Sequence, residues 1–363
     1  MPNFNIIKEV KPKKSFRVSS VIGKFDLQSE HIKEQFTGSI DLDNDWQIGI
    51  IVGSSGSGKT TIAKELFPKS YITDFKYKAE TILDDMPEDK SVDEITKTFN
   101  SVGFSSPPSW LKPYSVLSNG QKMRVDLANG LLQNKDLMVF DEFTSVVDRN
   151  VAKIGSYAVQ KAIRKSDKKF IAVTCHNDVV DWLMPDWIFN TDSMTFQKLE
   201  GQKKNKPKIK LQIFNTRDKS IWKMFAKHHY LNHSHNNAAT VYVAYVNNNL
   251  AGFYSVLPFP HPVIKNVRKG HRLVVLPDYQ GIGVGLRIRT EIAKHYVLNE
   301  KKRFIATTSH PAIIYGLKNN PNWLLTKKGR QGRGGKTGKI QNINVKNSSS
   351  SNRITTSWEY IIK

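Results

Sequence analysis

Gly53-Ser54-Ser55-Gly56-Ser57-Gly58-Lys59-Thr60 decides how the chain is read. It fits the pattern GxxxxGK followed by Ser or Thr. The apolar run WQIGIIVG (46–53) before it reads as a buried strand, and TTIAKELF (60–67) after it as the start of a helix. In that setting the glycines let successive backbone N–H groups turn inward around phosphates. Lys59 reaches the terminal phosphates and Thr60 can ligate magnesium. The positive end of the helix adds to the attraction. ATP and Mg2+ are therefore expected on Gly53, Ser54, Ser55, Gly56, Ser57, Gly58, Lys59, Thr60 and Thr61.

Working outward, DLMVFDE (136–142) and KFIAVTCH (169–176) read as further strands separated by helical segments. Such alternation predicts a mostly parallel sheet. Many strands end in surface acids, so Asp141-Glu142 gains its weight from the loop upstream. With that loop, Asp141 joins Thr60 as a magnesium ligand and Glu142 is placed to polarise an attacking water.

Leu117-Ser118-Asn119-Gly120-Gln121 lies just before a helix expected over 122–133, which leads into the Asp141-Glu142 strand. With Ser145-Val146-Val147-Asp148 and His176, it resembles the ordered motifs of the ABC ATPases: signature, D-loop and switch histidine. Asn119 stands where the signature usually has glycine. The resemblance implies that Ser118, Asn119, Gly120 and Gln121 of one subunit complete the phosphate site of another, with Asp148 at the D-loop and Glu142 and His176 catalytic. It implies a homodimer that sandwiches two ATPs. The family's Q-loop glutamine has no counterpart, since no glutamine lies between Pro68 and Leu117. Phe16 and Phe25 are candidates for stacking on adenine.

Charge separates the halves. Residues 201–363 hold 29 Lys and Arg against 5 Asp and Glu, whereas 1–200 hold 26 against 27. No acid lies between Lys219 and Pro277. A solvated surface would mix both signs, so the cationic half points to a polyanionic partner, nucleic acid and most simply DNA. Lys327, Lys328, Arg330, Arg333, Lys336 and Lys339 are spaced by glycines and suit a mobile loop that follows a phosphate backbone. The polar run GQKKNKPKIK reads as a linker, giving domains over 1–200 and 211–363 joined by 201–210, with a mobile basic loop over 327–353. The chain shows no long apolar run and no secretory leader, and its single cysteine, Cys175, fits a reducing cytoplasm.

In that second half TVYVAYV (240–246) and LAGFYSVL (250–257) form an expected hairpin, IWKMFAKHHYL (221–231) reads as a helix, and HRLVVLP (271–277) as a strand. The strand runs into Gln280-Gly281-Ile282-Gly283-Val284-Gly285, which resembles the acyl-CoA motif of the GNAT acetyltransferases. Small residues there let backbone amides face a pyrophosphate, with a helix end behind them. The resemblance implies acetyl-CoA held by Leu273, Val274, Val275, Gln280, Gly281, Ile282, Gly283, Val284 and Gly285. It also implies a late tyrosine, for which Tyr315 stands near the right place, to protonate the departing thiolate. His271 and Tyr279 flank the motif. His228, His229, His233 and His235 form a dense group that could meet substrate or metal.

The expected fold class is α/β, a phosphate-loop ABC domain followed by a mixed-sheet α+β GNAT-like domain. The joined halves resemble a prokaryotic and phage family of ABC-type ATPases fused to an acetyltransferase domain, and the second half is distantly similar to phage Mom DNA-modification proteins. That implies an ATPase coupled to acyl-CoA-dependent modification of DNA bases. The alternatives are an ATP-gated DNA clamp with an inactive GNAT-like module, or an acetyltransferase acting on protein or RNA.

Overall fold

The computed structural model describes residues 3–10, 15–26, 32–43, 45–72, 75–199, 207–229, 234–260, 265–330 and 354–362. The chain falls into two compact units that do not follow chain order. The first comprises Met1–Phe75, Gln133–Asp148 and Gln160–Lys206; the second comprises Lys76–Leu132, Arg149–Val159 and Pro207–Lys363.

In the first unit, β1 (Asn3–Val10) pairs antiparallel with β2 (Ile32–Ser39), and α1 (Phe16–Phe25) lies between them in the chain. The central sheet holds β3 (Ile48–Val52), β4 (Leu137–Phe140), β5 (Lys169–Thr174), β6 (Trp187–Asn190) and β7 (Thr195–Lys198), in the order β4-β5-β3-β6-β7. All its pairings are parallel except β6 with β7. The continuous apolar run of β3 is buried at every position, as a strand covered on both faces requires. Its core joins Ile51, Val139, Ile171 and Val173 with Phe36, Trp187 and Phe189. α2 (Lys59–Leu66) buries Ile62 and Ala63 on this core. At the other end of β3, the buried guanidinium of Arg164 grips both oxygens of Asp186, at 2.7 and 2.9 Å. The same carboxylate accepts from the backbone N–H groups of Gln47 and Ile48 at 2.7 and 2.9 Å.

The second unit gathers α3 (Val92–Ser101), α4 (Pro107–Trp110) and α5 (Asn119–Leu132) with the C-terminal half of the chain. α3 starts on a reciprocal Ser91–Glu94 capping box. α6 (Arg149–Ile163) gives its first residues, to Val159, to this unit, and α7 (Asp178–Leu183) belongs to the first. A seven-stranded sheet runs in the order β13-β14-β12-β11-β10-β9-β8. Its strands are β8 (Leu211–Thr216), β9 (Thr240–Val246), β10 (Asn249–Pro258), β11 (Val267–Val275), β12 (Arg303–Thr308), β13 (Trp323–Arg330) and β14 (Ile354–Tyr360). Only β11 with β12 is parallel, so the sheet is mixed as expected. α9 (Val284–Leu298) and α10 (Pro311–Lys318) complete the unit. The helix expected over 221–231 is shorter: α8 covers Trp222–Ala226, and His229 is buried against Trp222 with ring centroids 5.7 Å apart.

Lys327 and Lys328, expected in a mobile loop, instead lie on β13, opposite Ser357 and Thr356 of β14. The backbone of Arg330 ends that strand. Arg333, Lys336 and Lys339 lie outside the described residues, as do His233 and the linker residues 201–206. No described helix is long and apolar enough to cross a membrane.

Candidate nucleotide and acyl-CoA sites

In the first unit β3 delivers the glycine loop to the N-terminus of α2. Gly56 and Gly58 both sit at positive φ, +84° and +83°, which bends the loop back on itself. A β-carbon at Gly58 would meet the Phe36 ring at 2.4 Å, so the turn is also packed from beneath. Ser57 N–H donates to the Ser54 carbonyl at 3.2 Å, and Lys59 Nζ donates to the same oxygen at 2.5 Å. Ser54 and Ser55 are exposed, and no side chain caps α2, whose first N–H groups therefore face outward for an anion.

Thr60 Oγ1 donates to Asp141 Oδ2 at 2.8 Å, so the two expected magnesium ligands converge from α2 and the end of β4. The pair supplies the hard oxygen donors that Mg2+ prefers. Glu142 follows at positive φ (+52°), is exposed, and donates its N–H to Asp141 Oδ1 at 2.9 Å. His176 is half-buried just past β5, its N–H bonded to Thr174 Oγ1, and Asp148 is exposed. Ser118 and Asn119 are exposed at the head of α5 in the second unit. There Ser118 and Gln121 cap each other, Gln121 N to Ser118 Oγ at 3.4 Å and Ser118 N to Gln121 Oε1 at 3.2 Å. The tetrapeptide Ser118–Gln121 thus forms a capping box, and α5 begins at Asn119 rather than at 122.

Two residues bonded to the candidate nucleotide-site residues escape sequence reading. Tyr71, bridged to Val139 beside β4, donates its hydroxyl to Asp141 Oδ2. Burial, then Asp141, pushes its phenol well above the ordinary value, so it stays a donor. Asp192, just past β6, accepts from Ser54 N at 3.0 Å and from Ser54 Oγ at 2.6 Å. These bonds, with the attraction of Lys59, hold its carboxyl below the usual range. Nothing in sequence spacing ties either residue to the loop. Phe16 and Phe25 are both exposed on α1.

In the second unit the sheet opens ahead of the candidate acyl-CoA turn Gln280–Gly285. β11 pairs with β12 only from Val267↔Arg303 to Gly270↔Ala306, and then runs on to Val275. At the same level two β11 residues, His271 and Arg272, oppose Ser255 alone, because the register with β10 jumps from Tyr254↔Leu273 to Val256↔Gly270. A bulge of this kind bends its strand and disrupts the ladder locally. β11 therefore parts from β12 and leaves a backbone edge on which an amide-bearing chain can lie as an added strand.

Beyond the opening, Gly283, exposed and at φ +90°, caps α9 without a side-chain bond. Val274 is buried with Trp222, Phe225, Val241 and Phe253, while Leu273 and Val275 lie against Gly285. Gln280 is not free to face a ligand. Its Nε2 donates to the Val275 carbonyl at 2.9 Å and its Oε1 accepts from Ser105 N at 3.0 Å. Ile282 and Val284 continue the turn, half-buried and buried.

Tyr315 lies on α10, exposed at 63%, two residues beyond Ile313, whose Cδ1 is 3.6 Å from where a Gly285 β-carbon would be. It is therefore a surface residue beside the turn and not a packed core tyrosine. His235 and His271 meet in an aromatic nest with Trp222 and Phe253, their ring centroids 6.0 Å apart. Burial, followed by Arg272, lowers both, His271 to about 4, so both are neutral near pH 7. His228, half-buried, is also lowered, chiefly by burial. Among the described residues no three His, Cys, Asp or Glu side chains gather as a metal site. Lys327 and Lys328 are exposed on the edge strand of the sheet, where lysines also discourage strand addition by another chain.

Residues 209–313 match the model of the "Acetyltransferase (GNAT) family". The NU+ prion formation protein 1 of Saccharomyces cerevisiae is 35% identical over 101 residues, 28% of this chain and 8% of that protein. The energy-coupling factor transporter ATP-binding protein EcfA1 of Listeria monocytogenes is 27% identical over 177 residues, 38% of this chain and 61% of that protein. The chain thus spans less than two thirds of each of these relatives. A solved dimeric bacterial ABC transporter cassette aligns with a TM-score of 0.37 at 16% identity, over 46% of this chain and 93% of its own. The chain therefore joins an ABC ATPase-like region to a GNAT acetyltransferase domain.

Proposed function

We propose that the chain is an ATP-dependent acyltransferase that moves an acyl group from acyl-CoA to nucleic acid, most simply to bases of DNA. The observation that carries this reading is the opening between β11 and β12 at the mouth of the Gln280–Gly285 turn. Pantetheine carries two amides and can lie along the β11 edge, while the exposed Gly283 amide and the start of α9 meet the pyrophosphate. The acceptor nitrogen attacks the thioester carbonyl, the carbon–sulfur bond breaks, and the coenzyme A thiolate leaves. Tyr315 supplies a proton to that sulfur from the rim of the turn, and neutral His271, at the bulge in β11, can receive the proton from the acceptor.

ATP would occupy the Gly53–Thr61 loop, where Thr60 and Asp141 are the residues that would hold Mg2+, whose positive charge would offset that of the phosphates. Glu142 orients the attacking water and His176 stands behind the γ-phosphate position. Ser118 to Gln121 of a second copy close the site, so ATP favours a homodimer. Tyr71 takes the place of the absent Q-loop glutamine by fixing the Asp141 carboxylate. Removing one hydrogen bond to a charged group costs about 1.5–3 kcal/mol. Tyr71→Phe should therefore raise the half-saturating Mg2+ concentration for ATP hydrolysis about 10–100-fold. An unchanged magnesium titration would make Tyr71 a packing residue.

The excess of 29 basic over 5 acidic residues in 201–363 supports a polyanionic acceptor. Replacing both exposed lysines of β13, Lys327 and Lys328, by alanine should lower the log–log salt slope of DNA binding by about 0.9 per lost phosphate contact, without changing sequence preference. An unchanged slope would leave these lysines as edge-strand guards. The deciding test of the acceptor is mass spectrometry of nucleosides from DNA incubated with the protein, acetyl-CoA and Mg-ATP. A new base adduct supports the reading. Tight DNA binding with no adduct and no acetyl-CoA binding would favour an ATP-gated clamp.

A further inference from the structure

Among the described residues, the most buried cation of the second unit is one that neither ATP hydrolysis nor acyl transfer calls for. Arg124 sits on α5 among the buried Met123, Val125, Leu127 and Ala128, and is itself 2% exposed. Its guanidinium donates to three backbone carbonyls: Gly103 at 2.9 Å, Asp278 at 3.0 Å and Gln280 at 3.2 Å. Two of the three belong to the turn that enters the acyl-CoA motif. Burial pulls its pKa down to about 10, against a smaller opposing effect of the Asp278 charge, so it remains protonated. A buried charge costs several kcal/mol unless it is well paired, so these carbonyls have to stay where the guanidinium needs them.

The contact is close throughout. Gly103 and Gly281 face each other at φ +86° and +88°, and a β-carbon on Gly281 would come within 2.7 Å of the Gly103 Cα. Ser105 holds both ends of the arrangement. Its N–H donates to the Gln280 side chain, and its carbonyl meets His310 Nε2 at 3.0 Å, at the N-cap of α10. One strip of backbone from the N-terminal half thus fixes both the turn before α9 and the helix that carries Tyr315.

We propose that Arg124 is a positioning residue for acyl-CoA, and that α5 uses it to make acyl-CoA affinity depend on bound ATP. The inference rests on the reading of Gln280–Gly285 as the acyl-CoA turn and of Ser118–Gln121 as the residues that meet ATP in a dimer. Asn119 and Arg124 lie five residues apart on one helix, about 7.5 Å along its axis. Over that length a helix moves as a rod. A shift at its exposed head therefore arrives at the Asp278 and Gln280 carbonyls, which set where the following amides point.

The test is calorimetric titration of the full chain with acetyl-CoA, with and without Mg2+ and the non-hydrolysable analogue AMP-PNP. For the wild-type protein the two dissociation constants should differ by about fivefold or more, the scale of ordinary coupling between sites. In Arg124→Gln acetyl-CoA binding should weaken and the two constants should converge. Equal constants in the wild-type protein would overturn the proposal while leaving the acyl-CoA reading in place, as would a difference that survives in Arg124→Gln. Absence of any acetyl-CoA binding to the wild-type protein would remove the acyl-CoA reading itself. Should Arg124→Gln fail to fold, amide exchange of the wild-type protein decides. The peptide covering 278–285 should change its protection when AMP-PNP is added, and an unchanged rate would overturn the coupling.

Discussion

Lys59→Ala should reduce ATP hydrolysis about 10²–10³-fold, the usual cost of deleting one donor aimed at developing charge. The ammonium is tethered to the Ser54 carbonyl at 2.5 Å, in the mouth of the loop where the terminal phosphates would arrive. Removing it takes away a charge and leaves the scaffold, because Gly56, Gly58 and the packing of Phe36 shape the loop independently. Circular dichroism and the melting temperature should therefore stay close to those of the parent protein. Turnover near the parent rate would remove the phosphate-loop assignment. If base modification depends on ATP, the same variant should also lose the nucleoside adduct.

Arg164→Ala should destabilise the first unit strongly, by about 3–5 kcal/mol. Both partners of the Arg164–Asp186 pair are 9% exposed, and the fork is bidentate. Truncation leaves the Asp186 carboxylate buried without its counter-charge, although Gln47 and Ile48 still donate to it. Against a typical total of about 5–15 kcal/mol, that is a large share. Trp46 and Trp187 are buried in edge-on contact with ring centroids 5.4 Å apart, and they provide a fluorescence signal for urea unfolding. The midpoint should fall steeply, and Arg164→Lys should recover only part of the loss, since an ammonium cannot supply the fork. A loss below about 1 kcal/mol would mean that the pair behaves as if solvated.

Local signals carried most of what was legible in the sequence. The glycine loop, the buried β3 run and the acids after β4 each follow from residues adjacent in the chain. The structure brings Thr60 and Asp141 together at 2.8 Å across 81 positions. The turn Gln280–Gly285, with a strand before it and a helix after it, was equally readable. What escaped was reciprocity between distant segments. Nothing near Tyr71 marks it as a partner of Asp141, and an arginine inside the apolar stripe of α5 gives no hint that two of its three acceptors lie more than 150 residues away. Edge position also hides from a sequence: Lys327 and Lys328 sit in a glycine-rich, cationic stretch, yet pairing with β14 draws them into a strand.

The interleaving of the two units bears on how the chain is made. The second unit needs residues 76–132 and 149–159 together with residues up to Tyr360, its last strand. Synthesis proceeds at roughly 5–20 residues per second, so α3 and α5 wait on the order of ten seconds before β14 exists to complete their unit. During that interval the apolar side of α5 and the unpaired charge of Arg124 have no permanent home. Contacts of such long sequence separation close slowly. A nascent chain of this kind is a natural client for chaperones that shield apolar segments, and its yield should depend on the rate at which its last third is translated.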